Sequence, residues 1–258
     1  MSAANPFVEV GHRGGVVVGF DGSDTAWEAV RWAADEAAHR CCPLLLVHAH
    51  LTSVTSAWGA VAAPGWGAAA VFDDTSLIRQ AEEDVAVAAE ECRRLEPGLE
   101  VDVKVVGGRA APALIEAART VDAELLVVGM SGQWALPRAL IGSTVTTLVH
   151  DADRPVVAVR GGPVGRSGPV IVGVDDSPDS MPAVRFAAGY AKRYACELRP
   201  VRDDARILLE QSEDAQLLVV SDHGDGAVHR ALFGSVSRTA LNHASCPVAV
   251  VPHALLSE

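Results

Sequence analysis

Residues 16–40 read VVVGFDGSDTAWEAVRWAADEAAHR, and residues 170–194 read VIVGVDDSPDSMPAVRFAAGYAKRY. Each stretch opens with a valine-rich run of strand length, reaches an aspartate (Asp21, Asp175) and passes into a helical pattern. Three further matches follow in the same order. LLVV at Leu125–Val128 returns at Leu217–Val220. Gly142-Ser143-Thr144-Val145 returns as Gly234-Ser235-Val236-Ser237. RPVVAV at Arg154–Val159 returns as CPVAVV at Cys246–Val251. Several matches in one order indicate an internal duplication.

Within the first copy, the runs Val16–Phe20, Leu44–His48, Val101–Val106, Leu125–Gly129 and Val156–Val159 are short and apolar, as strands covered on both faces are. Helical patterns over Thr25–Arg40, Leu77–Leu95, Pro112–Thr120 and Ser143–His150 alternate with them. Ser23 or Asp24 supplies a cap for the first, and Pro112 suits a first helical turn. This alternation predicts an α/β fold with right-handed crossovers and a mostly parallel sheet. Asp21 and Gly142 are 121 positions apart, but Asp175 and Gly234 only 59. The shortfall lies after the second strand, where Val201 leads almost directly into a helix at 205–213. The first copy therefore predicts a sheet of order 3-2-1-4-5, and the second lacks the edge strand and one helix. The expected division is a complete domain over 1–160, a Gly/Pro-rich linker over 161–169 (GGPVGRSGP) and a shortened domain over 170–258.

Composition narrows the function. The 258 residues are 49% hydrophobic and 21% charged, a globular balance. The net charge of −12 argues against a nucleic-acid partner, which needs a basic footprint. It leaves a small anionic ligand open, because backbone N–H groups hold phosphate without net positive charge. The five cysteines form no CxxC pair, which points to a reducing compartment. With neither a secretory leader nor an apolar run of membrane-spanning length, the chain reads as soluble and cytoplasmic. Cys41 and Cys42 read as buried at a helix end. His48 and His50 read as core or crevice histidines rather than metal ligands.

The chemistry concentrates in Gly129-Met130-Ser131-Gly132, nine further residues, and Gly142-Ser143. Gly129 ends a buried strand and allows close approach to the backbone. Gly142-Ser143 opens a helix whose free N–H groups and dipole favour a phosphate, with the Ser143 and Thr144 hydroxyls as further donors. Asp21 ends the adjacent first strand, at the switch point where open α/β sheets bind ligands. Ordinary loop and cap chemistry is the competing reading of these glycines, and Asp21 could serve as a helix-capping residue, with or without a ligand role.

This spacing of Gly-x2-Gly-x9-Gly-Ser after LLVVG, with the VVVGFDGS opening and the RPVVAV ending, resembles the universal stress protein family over nearly the whole chain. The resemblance implies two Rossmann-like domains of the adenine nucleotide alpha hydrolase type. It implies ATP, alone or with magnesium, bound without a Walker A loop. By position, Asp21 would contact the adenine region, flanked by Phe20 and Gly22, and Ala49 would offer backbone contacts to the base. Val128 and Gly129 would line the crevice, and Gly132, Gly142, Ser143 and Thr144 would surround the phosphates. It also implies antiparallel pairing of the last strands of the two copies, and a homodimer.

The second copy departs from the motif. Ser221 replaces the first glycine, while Gly224, Gly234, Ser235 and Asp175 are retained. Its site is expected to be weak or structural. Arg138 and Arg230, at matching places in the two glycine loops, read equally as phosphate contacts or solvated arginines. Residues 52–76 form either a lid over the ligand or a plain mobile loop. The leading function is nucleotide-linked signalling in stress response. The alternatives are a slow ATPase or phosphotransferase and a nucleotide-free interaction scaffold.

Overall fold

The computed structural model describes residues 14–50, 74–130, 141–160, 167–175, 177–202, 204–222 and 234–253. Gly132, Arg138, Gly224, Arg230, residues 52–73 of the candidate lid and residues 161–166 of the linker lie outside the described residues.

The first copy runs β1 (Val16–Gly19), α1 (Asp24–Arg40), β2 (Leu44–His50), α2 (Asp74–Leu95), β3 (Val101–Gly107), α3 (Ala110–Thr120), β4 (Leu125–Gly129), α4 (Ser143–Asp151) and β5 (Val156–Val159). The second runs β6 (Val170–Val174), a 3-10 turn (Pro178–Ser180), α5 (Met181–Arg193), β7 (Leu198–Arg202), α6 (Ala205–Ser212), β8 (Leu217–Ser221), α7 (Ser235–His243) and β9 (Val248–Val251). The second copy thus lacks counterparts of α2 and β3.

Each copy keeps the expected local order, and the pairing of the last strands that the resemblance implied joins the two sets in one sheet, β3-β2-β1-β4-β5-β9-β8-β6-β7. The junction is β5 against β9, antiparallel, with Val156 opposite Val250 and Ala158 opposite Val248. Every other neighbouring pair is parallel. Joining the two valine-rich last strands removes two edges that would otherwise be exposed. Val157, Ala158, Val159, Val248 and Ala249 are consequently all fully buried.

Because strand side chains alternate, every strand feeds two cores. Val16, Val18, Leu44 and Leu46 join Ala29, Ala33, Val85, Ala88, Ala187 and Tyr190, so α1, α2 and α5 cover one face. Val17, Leu45 and Val47 join Leu114, Leu148, Leu208 and Leu241, so α3, α4, α6 and α7 cover the other. Both cores run through the two copies. The antiparallel junction sends the carboxyl ends of β1 and β4 to one end of the sheet and those of β6 and β8 to the opposite end.

Helix α1 ends on Cys41, which takes the left-handed conformation (φ 54°) and returns its N–H to Ala37 and Ala38. That turn leaves Cys41 exposed, contrary to the expectation of a buried pair, while Cys42 is partly buried. Ala195, after α5, adopts the same left-handed turn (φ 48°).

Across the junction α1 meets α5 through a buried carboxylate. Glu36 is fully buried and accepts from Arg40 Nε (2.6 Å), Arg193 Nη1 (3.0 Å) and Tyr194 Oη (2.7 Å). Arg40 also reaches Glu124 Oε2 at 2.7 Å. Burial works to lower the Arg40 pKa, but Glu36 and Glu124 outweigh it and hold the guanidinium above its ordinary value. Beside this cluster the Trp32 ring stacks on Tyr190, 9° from parallel.

Candidate functional site

The site forms where β1 and β4 lie side by side, with Val16 opposite Leu125 and Val18 opposite Val127. After β1 the chain enters α1 on one face of the sheet, and after β4 it reaches α4 on the other. The connections diverge, so a crevice opens at the strands' carboxyl ends.

Asp21 shapes the entrance to α1. Its Oδ1 accepts the Ser23 N–H (3.0 Å) and hydroxyl (2.6 Å). Ser23 in turn is the N-cap of α1, and its Oγ accepts the Ala26 N–H at 3.2 Å. Gly22, with φ 80°, makes the tight turn between them. Asp21 therefore does not cap α1 itself; it forms an Asx turn that holds the capping residue Ser23. Asp175 repeats it with Ser177, at 3.1 and 2.7 Å.

Phe20 is buried and meets Trp27 edge-on with ring centroids 5.0 Å apart. Its N–H donates to Val47 at 2.9 Å. Ala49 lies inside β2, one residue before its end, where sequence reading put it just past the strand. The Phe20–Val47 bond fixes the β2 pattern: odd residues turn their backbone groups toward β1. Those of Ala49 accordingly face β1's side of the strand, past the last residue of β1.

Gly129 has a structural reason of its own. A Cβ there would lie 2.7 Å from Thr25 C and Oγ1 and 2.8 Å from the Ala26 nitrogen. The glycine lets the first turn of α1 rest on the end of β4. In the second copy Ser221 stands at this place, and its hydroxyl donates to Asp179 O at 3.3 Å. There the helix begins with a 3-10 turn, so the missing glycine and the altered helix start belong together.

Gly142 is the N-cap of α4, and among the described residues no side chain caps its amides. The Gly142 N–H donates to Met130 O (3.1 Å), which ties the helix start to the end of β4. Thr146 returns both its N–H and its hydroxyl to Gly142 O. Ser143 is exposed, Thr144 is half-buried and Val128 is buried. The structure thus brings Phe20, Asp21, Gly22, Ala49, Val128, Gly129, Gly142, Ser143 and Thr144 to one end of the sheet. Gly132 lies outside the described residues.

His48 belongs to the same neighbourhood, with its ring centroid 6.4 Å from that of Phe20. Its Nδ1 is buried and has no hydrogen-bond partner among the described residues. Burial lowers its pKa, against the pull of Asp21 and Asp84. Sequence reading left His48 between core and crevice. Its two-residue offset from His50 gave no hint that Nδ1 would be unpaired.

The second copy's crevice carries an added carboxylate. Asp222, in the place of Met130, accepts from His253 N (2.9 Å), and His253 Nδ1 lies 3.2 Å from the same oxygen. Asp222 O accepts the Gly234 N–H, as Met130 O does for Gly142.

A mostly parallel sheet open at a β1/β4 switch point, with a glycine-opened helix start beside it, defines the class of Rossmann-like α/β proteins. The comparisons then place the chain: it belongs to the universal stress protein family, whose model matches residues 13–160 and 202–252. A universal stress protein of Mycolicibacterium smegmatis is 30% identical over 290 aligned positions, covering 92% of this chain and 96% of its own length. Universal stress protein Rv2623 of Mycobacterium tuberculosis is 31% identical, covering 93% and 97%. Both alignments are longer than the 258 residues of this chain, as a shortened copy requires. A universal stress protein from Archaeoglobus fulgidus superposes with a TM-score of 0.70 over 92% of this chain and 98% of its own, at 15% identity. No helix among the described residues is long and apolar enough to cross a membrane.

Proposed function

We propose that this chain binds ATP, alone or with magnesium, in the crevice of its first half and signals in stress response through its nucleotide-bound state. It acts as a cytoplasmic homodimer, each chain a complete domain (1–160), a linker (161–169) and a shortened domain (170–258). The observation that carries the nucleotide reading is the start of α4. Among the described residues no side chain caps the first-turn amides that follow Gly142, at the end of a helix whose dipole favours negative charge. Phosphates would sit there, with Gly132, Ser143 and Thr144 around them. The base and ribose would lie against Phe20, Asp21, Gly22, Ala49, Val128 and Gly129. An acidic protein can hold such a ligand because the donors are main-chain amides. In the second half, Asp222 adds negative charge beside the matching helix start, so that half closes the sheet and leaves the nucleotide to the first.

Calorimetry of ATP with Gly142→Asp tests this. Gly142 has φ −59° and ψ 148°, which any residue adopts, and aspartate is a preferred N-cap. The variant should fold at least as stably as the parent. Its carboxylate would occupy the amides that phosphate needs, and affinity should fall at least about tenfold, or 1.4 kcal/mol. Unchanged affinity in Gly142→Asp, or no heat with the parent protein, refutes the site.

A further inference from the structure

Among the described residues the sheet ends in two edge strands, β3 and β7, and they differ in chemistry. On β7 the bond from the Val170 N–H to Glu197 O sets odd residues toward β6 and even residues outward. Pro200 therefore faces out and offers no N–H, with Arg199 and Arg202 on either side. That edge rejects another strand, as exposed edges commonly do.

On β3 the bonds from Leu44 N–H to Glu100 O and from Gly108 N–H to His50 O set even residues toward β2. The backbone groups of Val101, Val103 and Val105 therefore point outward. Arg93 Nη2 donates to Val101 O at 2.8 Å, using one of that carbonyl's two lone pairs. Val103 is 46% exposed, unusual for a valine in a nine-stranded sheet. Asp102 and Lys104 flank it, and neither has an ion-pair partner among the described residues.

We propose that this edge pairs with the β3 edge of a second copy, antiparallel, with Val103 opposite the partner's Val103. The proposal rests on the reading of the chain as a homodimer and names the surface. The register follows from charge. Two-fold pairing centred on residue 102 would set Asp102 against the partner's Asp102, and centring on 104 would set Lys104 against the partner's Lys104. Centred on Val103, Asp102 faces the partner's Lys104 twice over, at non-hydrogen-bonded positions where side chains come closest. The outward valines then exchange N–H and C=O bonds with the partner, making one eighteen-stranded sheet from two nine-stranded ones.

The neighbouring helix agrees with that axis. Helical repeat puts exposed Glu82, Ala86 and Arg93 along one flank of α2, the flank from which Arg93 reaches Val101. Across the same two-fold axis Glu82 would face the partner's Arg93, with the exposed Ala86 between them.

Sedimentation velocity of the full chain without nucleotide, over a range of micromolar concentrations, tests the surface. The parent should dimerise. Lys104→Glu, which sets two like-charge pairs across the axis, should raise the dissociation constant at least about tenfold. Combining Asp102→Lys with Lys104→Asp should restore it, since the pairs are only exchanged. Val103→Pro removes an outward N–H, keeps every bond to β2, and should abolish the dimer. Arg199→Glu on β7 should change nothing. A parent that stays monomeric overturns both the homodimer and this surface. A dimer indifferent to the β3 variants, or sensitive to Arg199→Glu, overturns the surface alone.

Discussion

Replacing Glu36 by alanine should destabilise the protein more than any surface change, and the structure sets the scale. The carboxylate is fully buried and accepts three hydrogen bonds, from Arg40, Arg193 and Tyr194. Removing one partner of a buried charged pair costs about 3–5 kcal/mol, because the remaining charges stay desolvated. Arg40 keeps Glu124, but Arg193 loses its acceptor. For a chain of this size that corresponds to a fall in melting temperature of roughly 6–20 °C. Glu36→Gln keeps the shape and one acceptor oxygen and should lose about half as much. Since Glu36 lies on α1 and Arg193 on α5, a double-mutant cycle of Glu36→Ala with Arg193→Ala should show coupling above about 1 kcal/mol in urea unfolding. A Glu36→Ala protein within about 1 kcal/mol of the parent would refute the cluster as a link between the halves.

The pH dependence of stability should carry the mark of His48. Its folded pKa lies below the ordinary 6.5, so the unfolded chain binds the proton more readily. The contribution is fully present above about pH 6.5 and is lost as pH falls through the depressed value. Melting temperatures between pH 8 and 5 should fall less steeply in His48→Gln than in the parent, and an equal slope would count against it. Gly129→Ala should cost about 1–3 kcal/mol by driving a methyl group into Thr25 and Ala26, measured by chemical denaturation; a neutral outcome would mean that α1 does not rest on β4. Exposed Cys41 should react first with a thiol reagent, followed mass-spectrometrically. Cys92 and Cys246, buried and with thiols pushed up to about 12, should react only on unfolding.

The architecture was legible because its signals are local. Valine runs, the Asp21 and Asp175 turns and the glycine-opened helices recur in order, and the 121-to-59 contrast between copies located the missing α2 and β3 counterparts. The competing readings of Asp21 could not be separated in sequence, since an aspartate two residues before an N-cap serine can hold that serine whether or not a ligand lies beside it. Gly129 looked like a ligand-facing glycine, yet the atoms nearest its missing Cβ belong to α1. That contact joins residues about a hundred positions apart, which no spacing rule encodes. Cys41 was read as buried at a helix end, but the left-handed turn that ends α1 points it outward. Glu36 gave no sign at all. In the aligned copies it corresponds to Tyr190, and only the antiparallel β5–β9 junction brings Arg193 and Tyr194 to it.

Helix α1 is the one element that belongs to both the crevice and the junction. Its first turn is held by Asp21 through Ser23 and rests on Gly129. Its last turns hold Glu36 and Arg40 against α5. The seventeen residues between span about 25 Å. The second crevice opens at the far end of the sheet, so any coupling between the two crevices would run through packed elements. A nucleotide that binds only the folded crevice stabilises it by about 2.7 kcal/mol at a hundredfold excess over its dissociation constant. Because the two cores run through both copies and α1 reaches α5 across the junction, that free energy should be felt by the whole sheet rather than by the first half alone.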